Sequence, residues 1–303
     1  MPTALYGYLG LIFAALFWGG NFMFGKIISS DISPIMLNFS RWFPAAIILL
    51  LLFHRRLKPA LPLIRKYWRL LTALGILGII FFPVFLYQGL QTTTALNASI
   101  YLAAVPMATL LINRLLFHDA VRPPMLFGAI LSFIGVLYLL VQGEFGNILH
   151  LNINNGDMWA IGSALSWAVY CSIVRLKPPQ LTNSVFVTSL VTIGVILFTP
   201  LYLYAVIQGE GAVYAKLDGY QWWIMLYLVV FPSILSYVFW NYGITIVGSA
   251  KGASFTNAVP LFAAILSIVV LREPIRPYHL ISSLLIIAGL LLCNRKVRSR
   301  QQQ

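Results

Sequence analysis

The sequence predicts an all-α membrane protein, with ten transmembrane helices arranged as two inverted five-helix repeats. Three observations carry this. The 303 residues are 60% hydrophobic and only 9% charged, with a mean hydropathy of +0.88, whereas a soluble domain carries about 25% charged residues. The apolar residues gather into ten stretches of 16 to 25 residues, near the ~20 that cross ~30 Å of hydrocarbon as helix. The second half of the chain also repeats the first.

In order, the stretches are 5–25, 34–53, 70–90, 95–117, 125–141, 158–174, 184–207, 222–246, 253–271 and 278–293. The first has no Lys or Arg before Lys26, so it reads as a spanning helix and not as a secretion signal. The second holds Arg41, the one charge inside a stretch. Tyr67-Trp68 before the third and Tyr220 with Trp222-Trp223 at the eighth fit interfacial aromatic belts. The fourth and ninth carry Val-Pro at Val105-Pro106 and Val259-Pro260, where a helix loses a ladder hydrogen bond. The fifth and tenth contain Gly128, Ser132, Gly135 and Ser282, Ser283, Gly289, small residues that let helices approach closely. These two read as packing surfaces, with a homodimer contact as a second use. Cys171 and Cys293 fall inside apolar stretches and read as small buried hydrophobes.

The net charge of +13 raises the question of a nucleic-acid partner, and the distribution of charge argues against one. With the N-terminus cytoplasmic, 15 of the 20 Lys and Arg lie in inside segments. Four lie outside, at Lys26, Lys216, Arg272 and Arg276. That bias puts both termini in the cytoplasm. The expected partners are the lipid bilayer and a small molecule.

Residues repeat at an offset of 149 early in each half, where Gly7 matches Gly156 and Trp18 matches Trp167. Later the offset is 154, matching Gly89 with Gly243, Pro106 with Pro260, Arg122-Pro123 with Arg276-Pro277, Gly135 with Gly289 and Asp119 with Glu273. The units are 1–147 and 148–303. Five helices is an odd number, so the second copy enters the membrane from the other side. Many carriers build alternating access around a midplane site from such inverted repeats.

The seven acidic residues and four histidines sit at helix ends or in loops, which leaves a midplane proton or cation site without an obvious group. No His-Glu-x-x-His, paired intramembrane Asp or phosphate loop occurs, so no enzyme, cofactor or metal is expected. Candidate substrate contacts come from polar and aromatic positions. Ala14, Trp18 and Asn21 share one helical face, and Ser163, Trp167 and Tyr170 form the matching face of the sixth stretch. Asn97, Tyr101 and Ala104 lead to Pro106, and Ser254, Asn257 and Leu261 flank Pro260. Gln88, Trp240 and Asn241 complete the set. Arg41 suits a carboxylate, or else bonds helix-end carbonyls. Lys251 reads as a cytoplasmic anchor, with an anionic substrate as its other use.

Trp18-Gly19-x-Asn21-Phe22 with Lys26, Pro34 and Arg41 resembles the opening of EamA-type members of the drug/metabolite transporter superfamily. Trp167-Ala168-x-Tyr170 is similar to the opening of their second half. Val105-Pro106 with Asp119, and Val259-Pro260 with Leu271-x-Glu273, resemble their fourth and ninth helix endings, with Asp119 where the family usually has Glu. The resemblance implies a ten-helix carrier of a bacterial inner membrane, commonly exporting amino acids or related metabolites. It also implies a cavity among helices 1, 3, 4, 6, 8 and 9, and a basic residue at the positions of Lys26 and Arg41. The leading expectation is export of amino acids. Efflux of cationic aromatic drugs is the alternative, and a channel or membrane sensor stands as the reading from a different class.

Overall fold

The computed structural model describes residues 2–93, 98, 101–144, 146, 154–270 and 275–294. The first repeat comprises α1 (Pro2–Ile28), α2 (Pro34–Lys66), α3 (Trp68–Gly75), a π-helical turn (Ile76–Phe81), α4 (Phe82–Thr92), α5 (Val105–Phe117) and α6 (Pro123–Leu140). The second comprises α7 (Asn155–Ile173), α8 (Asn183–Ile207), α9 (Gly219–Leu228), a π-helical turn (Val229–Leu235) and α10 (Ser236–Val247). It continues with α11 (Ser249–Ala253), a 3₁₀ turn (Ser254–Asn257), α12 (Ala258–Val270) and α13 (Pro277–Asn294). Among the described residues no strand occurs. Among the described residues eight rods are long and apolar enough to span a membrane, and Val105–Phe117 is a shorter apolar helix. Leu51, Ile196, Leu284 and Leu291 stand 63–70% exposed. An exterior of this kind suits lipid and not water.

Local chemistry sets the helix starts. Ser33 caps α2 through its Oγ, and Pro34 follows at the first turn, where its missing N–H costs nothing. Asn154 with Asp157 and Asp218 with Gln221 form capping boxes for α7 and α9. Arg-Pro opens both α6 and α13. Several boundaries depart from the sequence expectation, α2 most of all. The first stretch begins at Pro2, and α2 continues 13 residues past Phe53 to Lys66, because the charged residues after His54 end the apolar run without ending the helical ladder. Asn97, Leu271 and Glu273 lie outside the described residues.

The two repeats run antiparallel. Gly7 near the start of α1 meets Ile246 and Val247 at the end of α10. Further along, Trp18 Nε1 donates to Pro232 O, and Tyr227 donates to Phe17 O. In the other half Gly156 meets Thr92, Ser163 donates to Phe82 O and Ser166 to Leu77 O. Thus α7 runs against α3–α4, which itself runs with α1 after two hairpin reversals. The crossings are copies of each other. A Cβ on Gly243 would lie 2.8 Å from Gly7 O, and one on Gly89 would lie 2.9 Å from Gly156 O. Both π-helical turns fall at matching places, and α6 packs on α13 as the symmetric fifth pair. The small faces of that pair are spent inside one chain, since a Cβ on Gly128 would lie 2.6 Å from Gly289 O.

Lipid offers no hydrophobic force between helices, so close backbone approach matters more than in water. Gly89→Ala and Gly243→Ala each place a methyl group against a carbonyl. Each should destabilise by about 1–3 kcal/mol, read as a lower thermal midpoint in detergent. Loss from one and not the other would contradict the copied crossing.

Candidate functional site

The site grows from the symmetric pair of tryptophans. Trp18 and Trp167 occupy matching positions on α1 and α7, and their rings meet edge to face at 5.1 Å. Trp240 tilts against Trp18 at 4.9 Å, Tyr170 stacks on Trp167 at 4.8 Å, and Tyr237 sits edge-on to Trp42 at 4.7 Å. These six aromatic side chains, with Phe82 at 4.7 Å from Trp167, enclose the centre of the bundle. A void of about 20 Å³ remains, lined by Trp18, Asn21, Arg41, Trp42, Trp167 and Tyr237 among others. That is room for about one water, so the cage is closed in this conformation.

Two polar clamps flank it, and each is the image of the other with roles exchanged. In the first repeat Tyr87 donates to Asn21 Oδ1 at 3.0 Å; in the second Tyr170 donates to Asn241 Oδ1 at 2.8 Å. The repeat offsets carry Asn21 onto Tyr170 and Tyr87 onto Asn241. Only the first clamp carries charge. Arg41, 3% exposed, donates Nη1 to Asn21 Oδ1 at 3.1 Å and to Tyr87 Oη at 2.5 Å, and Nε to Ser233 Oγ at 2.8 Å. Its guanidinium lies 5.2 Å from the Trp42 ring centre, a cation–π contact that gains strength where water is excluded. Nη2 makes no hydrogen bond among the described residues. The indole N–H groups of Trp42 and Trp167 are buried without a partner. Buried donors normally find acceptors, so the cage has unmet donor capacity beside a cation that no described carboxylate pairs.

Trp18, Asn21, Arg41 and Trp167 line the void. Tyr170, Trp240 and Asn241 stand one layer behind, fully buried, and brace the rings that do. Ser163 is tied to Phe82 O, and Asn257 bonds Ser132 at 2.8 Å, joining the 3₁₀ turn to α6. Ser254 bonds Lys251 O. Gln88 turns away to Gln91, and Tyr101 lines a separate shallow pocket beside Ala164. These five are therefore placed off the void, because helical faces chosen from polarity alone do not say which neighbour each face meets. Lys26 donates to Leu90 O at 3.1 Å, a helix-end tether. Trp42, Tyr87 and Tyr237 escaped the sequence reading. Tyr87 was findable, since the offset of 154 brings Asn241 to Tyr87 and not to its neighbour Gln88.

Replacing Arg41 leaves none of its partners orphaned, since Tyr87 still donates to Asn21 and Ser233 Oγ still donates to Leu228 O. A buried charge swapped for an apolar side chain of similar volume is often neutral or stabilising. Arg41→Met should therefore keep or raise the thermal midpoint in detergent. A fall of many degrees would make Arg41 a structural residue.

Comparison with known proteins agrees with this architecture. The model of the EamA-like transporter family matches residues 5–141 and again 154–295. Similar proteins include the uncharacterized transporter YyaM of Bacillus subtilis (strain 168), 27% identical over 96% of this chain and 94% of its own. An uncharacterized transporter of Archaeoglobus fulgidus is 30% identical over 95% and 97%. A solved crystal structure superposes with a TM-score of 0.74 at 17% identity over 96% of both chains, a likeness of fold. The duplicated match spans nearly the entire sequence, and the chain belongs to the EamA-like transporter family.

Proposed function

We propose that this membrane transporter is an alternating-access carrier that exports small amphiphilic metabolites bearing a carboxylate, amino acids foremost, across a bacterial inner membrane with both termini cytoplasmic. The observation that carries the reading is Arg41: a buried guanidinium at the void, with one terminal nitrogen unused and no described acidic side chain paired to it. A substrate carboxylate would supply the missing acceptor, bidentate geometry being what a guanidinium fork favours. The unpartnered indole N–H groups of Trp42 and Trp167 add donors on the same side of the problem. The ring faces of Trp18, Trp167 and Tyr237 would take the apolar body, and their quadrupoles would favour the ammonium of a zwitterion.

A cationic drug would face Arg41 with no anion between them, which weighs against that choice. Antiparallel repeats around a closed cage suit a cycle in which either end opens in turn. With room for about one water, the void forms no continuous pore in this conformation. A carrier in place of a channel or an enzyme requires counterflow.

Proteoliposomes loaded with L-phenylalanine, L-leucine or L-threonine should release label faster when the same amino acid is supplied outside. Arg41→Met should lower that exchange by at least about a hundredfold, the scale of about 3 kcal/mol expected when a charge-assisted pair is lost. Flux without trans-stimulation, or exchange restricted to amines lacking a carboxylate, would overturn the reading.

A further inference from the structure

A second cavity bears on how a dilute metabolite reaches a closed cage. At the end of the bundle that holds the start of α1, a cleft of about 510 Å³ opens among α5, the start of α6, the turn that follows α7, α10 and α11. That size lies within the range of small-molecule sites. Arg122, Arg175, Lys177 and Lys251 line it, and Asp119 is the one acidic residue in its lining. Asp119 is already taken by Arg175 at 2.5 Å, whose guanidinium also lies over the Phe117 ring at 4.6 Å. Among the described residues Arg122, Lys177 and Lys251 make no ion pair. Burial pushes the Lys177 ammonium below the usual lysine range, the direction expected of a cation drawn from water without a counter-charge. Three unneutralised cations around one concavity draw anions into it.

The cleft also has a buried acceptor. Asn113, 1% exposed, donates Nδ2 to Ser249 Oγ at 3.1 Å, and its Oδ1 has no partner. A buried amide oxygen left unbonded costs free energy that a ligand donor would recover. Cations and an unused acceptor together match a carboxylate and an ammonium on one small molecule. Ile244 lines the cleft one turn beyond Trp240 and Asn241 on α10, so the cleft and the cage are separated by packed side chains of a common cluster.

We propose that this cleft is a second binding site, which takes the carboxylate of an amino acid on Arg122, Lys177 and Lys251 and its ammonium on Asn113 Oδ1, loading the carrier before the cage opens. The loading role rests on the carrier reading above; the binding itself stands on the residues of the cleft.

The test is acetylation of Lys177 and Lys251 by an N-hydroxysuccinimide ester, followed residue by residue by mass spectrometry, in full-length protein in phosphatidylcholine nanodiscs. L-phenylalanine, L-leucine and L-threonine are the probes, with phenethylamine as the amine lacking a carboxylate. Occupancy at ten times the dissociation constant should slow labelling roughly tenfold with at least one probe. The protection should survive Arg41→Met and fall below about twofold in Asn113→Ala, a loss of over 1 kcal/mol of binding. No protection by any of the three amino acids overturns the proposal, as does equal protection by phenethylamine or protection that vanishes in Arg41→Met. Protection that appears without amino acid when phosphatidylglycerol replaces phosphatidylcholine assigns the cleft to a lipid headgroup and also overturns it. Protection without trans-stimulated exchange keeps the cleft and removes the carrier reading; exchange without protection does the reverse.

Discussion

A guanidinium without a carboxylate is the constraint around which the centre of this protein is arranged. Moving a charge into an apolar interior is costly, and no described acidic residue is paired to Arg41 to offset it. The cost is met in small pieces: a hydroxyl from the π-helical turn of the second repeat, an amide and a phenol from the first, and the face of the neighbouring indole. Each piece comes from a different helix, so satisfying one side chain draws α1, α2, α4 and the turn after α9 to a single point. The aromatic rings then close over that point from both repeats.

The remainder of the bundle follows from the absence of a hydrophobic force between helices in lipid. Shape has to substitute, and glycine supplies it where backbone meets backbone. Gly7 with Gly243 and Gly156 with Gly89 make the same contact twice, in opposite directions. The π-helical turns at matching places release carbonyls that accept bonds from Trp18, Asn38 and Tyr237, a common use of such local unwinding at functional sites. The fold is thus a shape-matched, two-fold frame with one charged interruption.

Much of this was legible beforehand, and unevenly. Apolar run length and the Trp18–Trp167, Gly7–Gly156 and Gly89–Gly243 matches carry the spans, the duplication and the antiparallel entry, because these depend on composition and on residues with strong backbone consequences. The reach of α2 was hidden, since hydropathy reports where lipid ends and not where a helix does. At the site, Trp18, Asn21, Arg41 and Trp167 were within reach because charge and ring pairs are rare inside a membrane. Ser254 and Asn257 lie off the void, since a polar face is equally well used for tying one helix to the next, as Asn257 does with Ser132. Trp42 and Tyr237 needed the third dimension, since nothing in a one-letter string says which side of a helix looks inward.

The unequal second helices of the two repeats have a mechanical consequence. At about 1.5 Å per residue, the 33 residues of α2 make a rod of about 50 Å, with Arg55, Arg56, Lys58, Arg65 and Lys66 on the part that outruns the hydrocarbon. Anionic headgroups grip such a basic end. Its counterpart α8 bears no ionisable side chain with a formal charge along its 25 residues and can tilt without dragging ions through oil. Two halves of common design therefore meet the bilayer differently: the first presents a basic end to the headgroups, and the second helix of the other presents none.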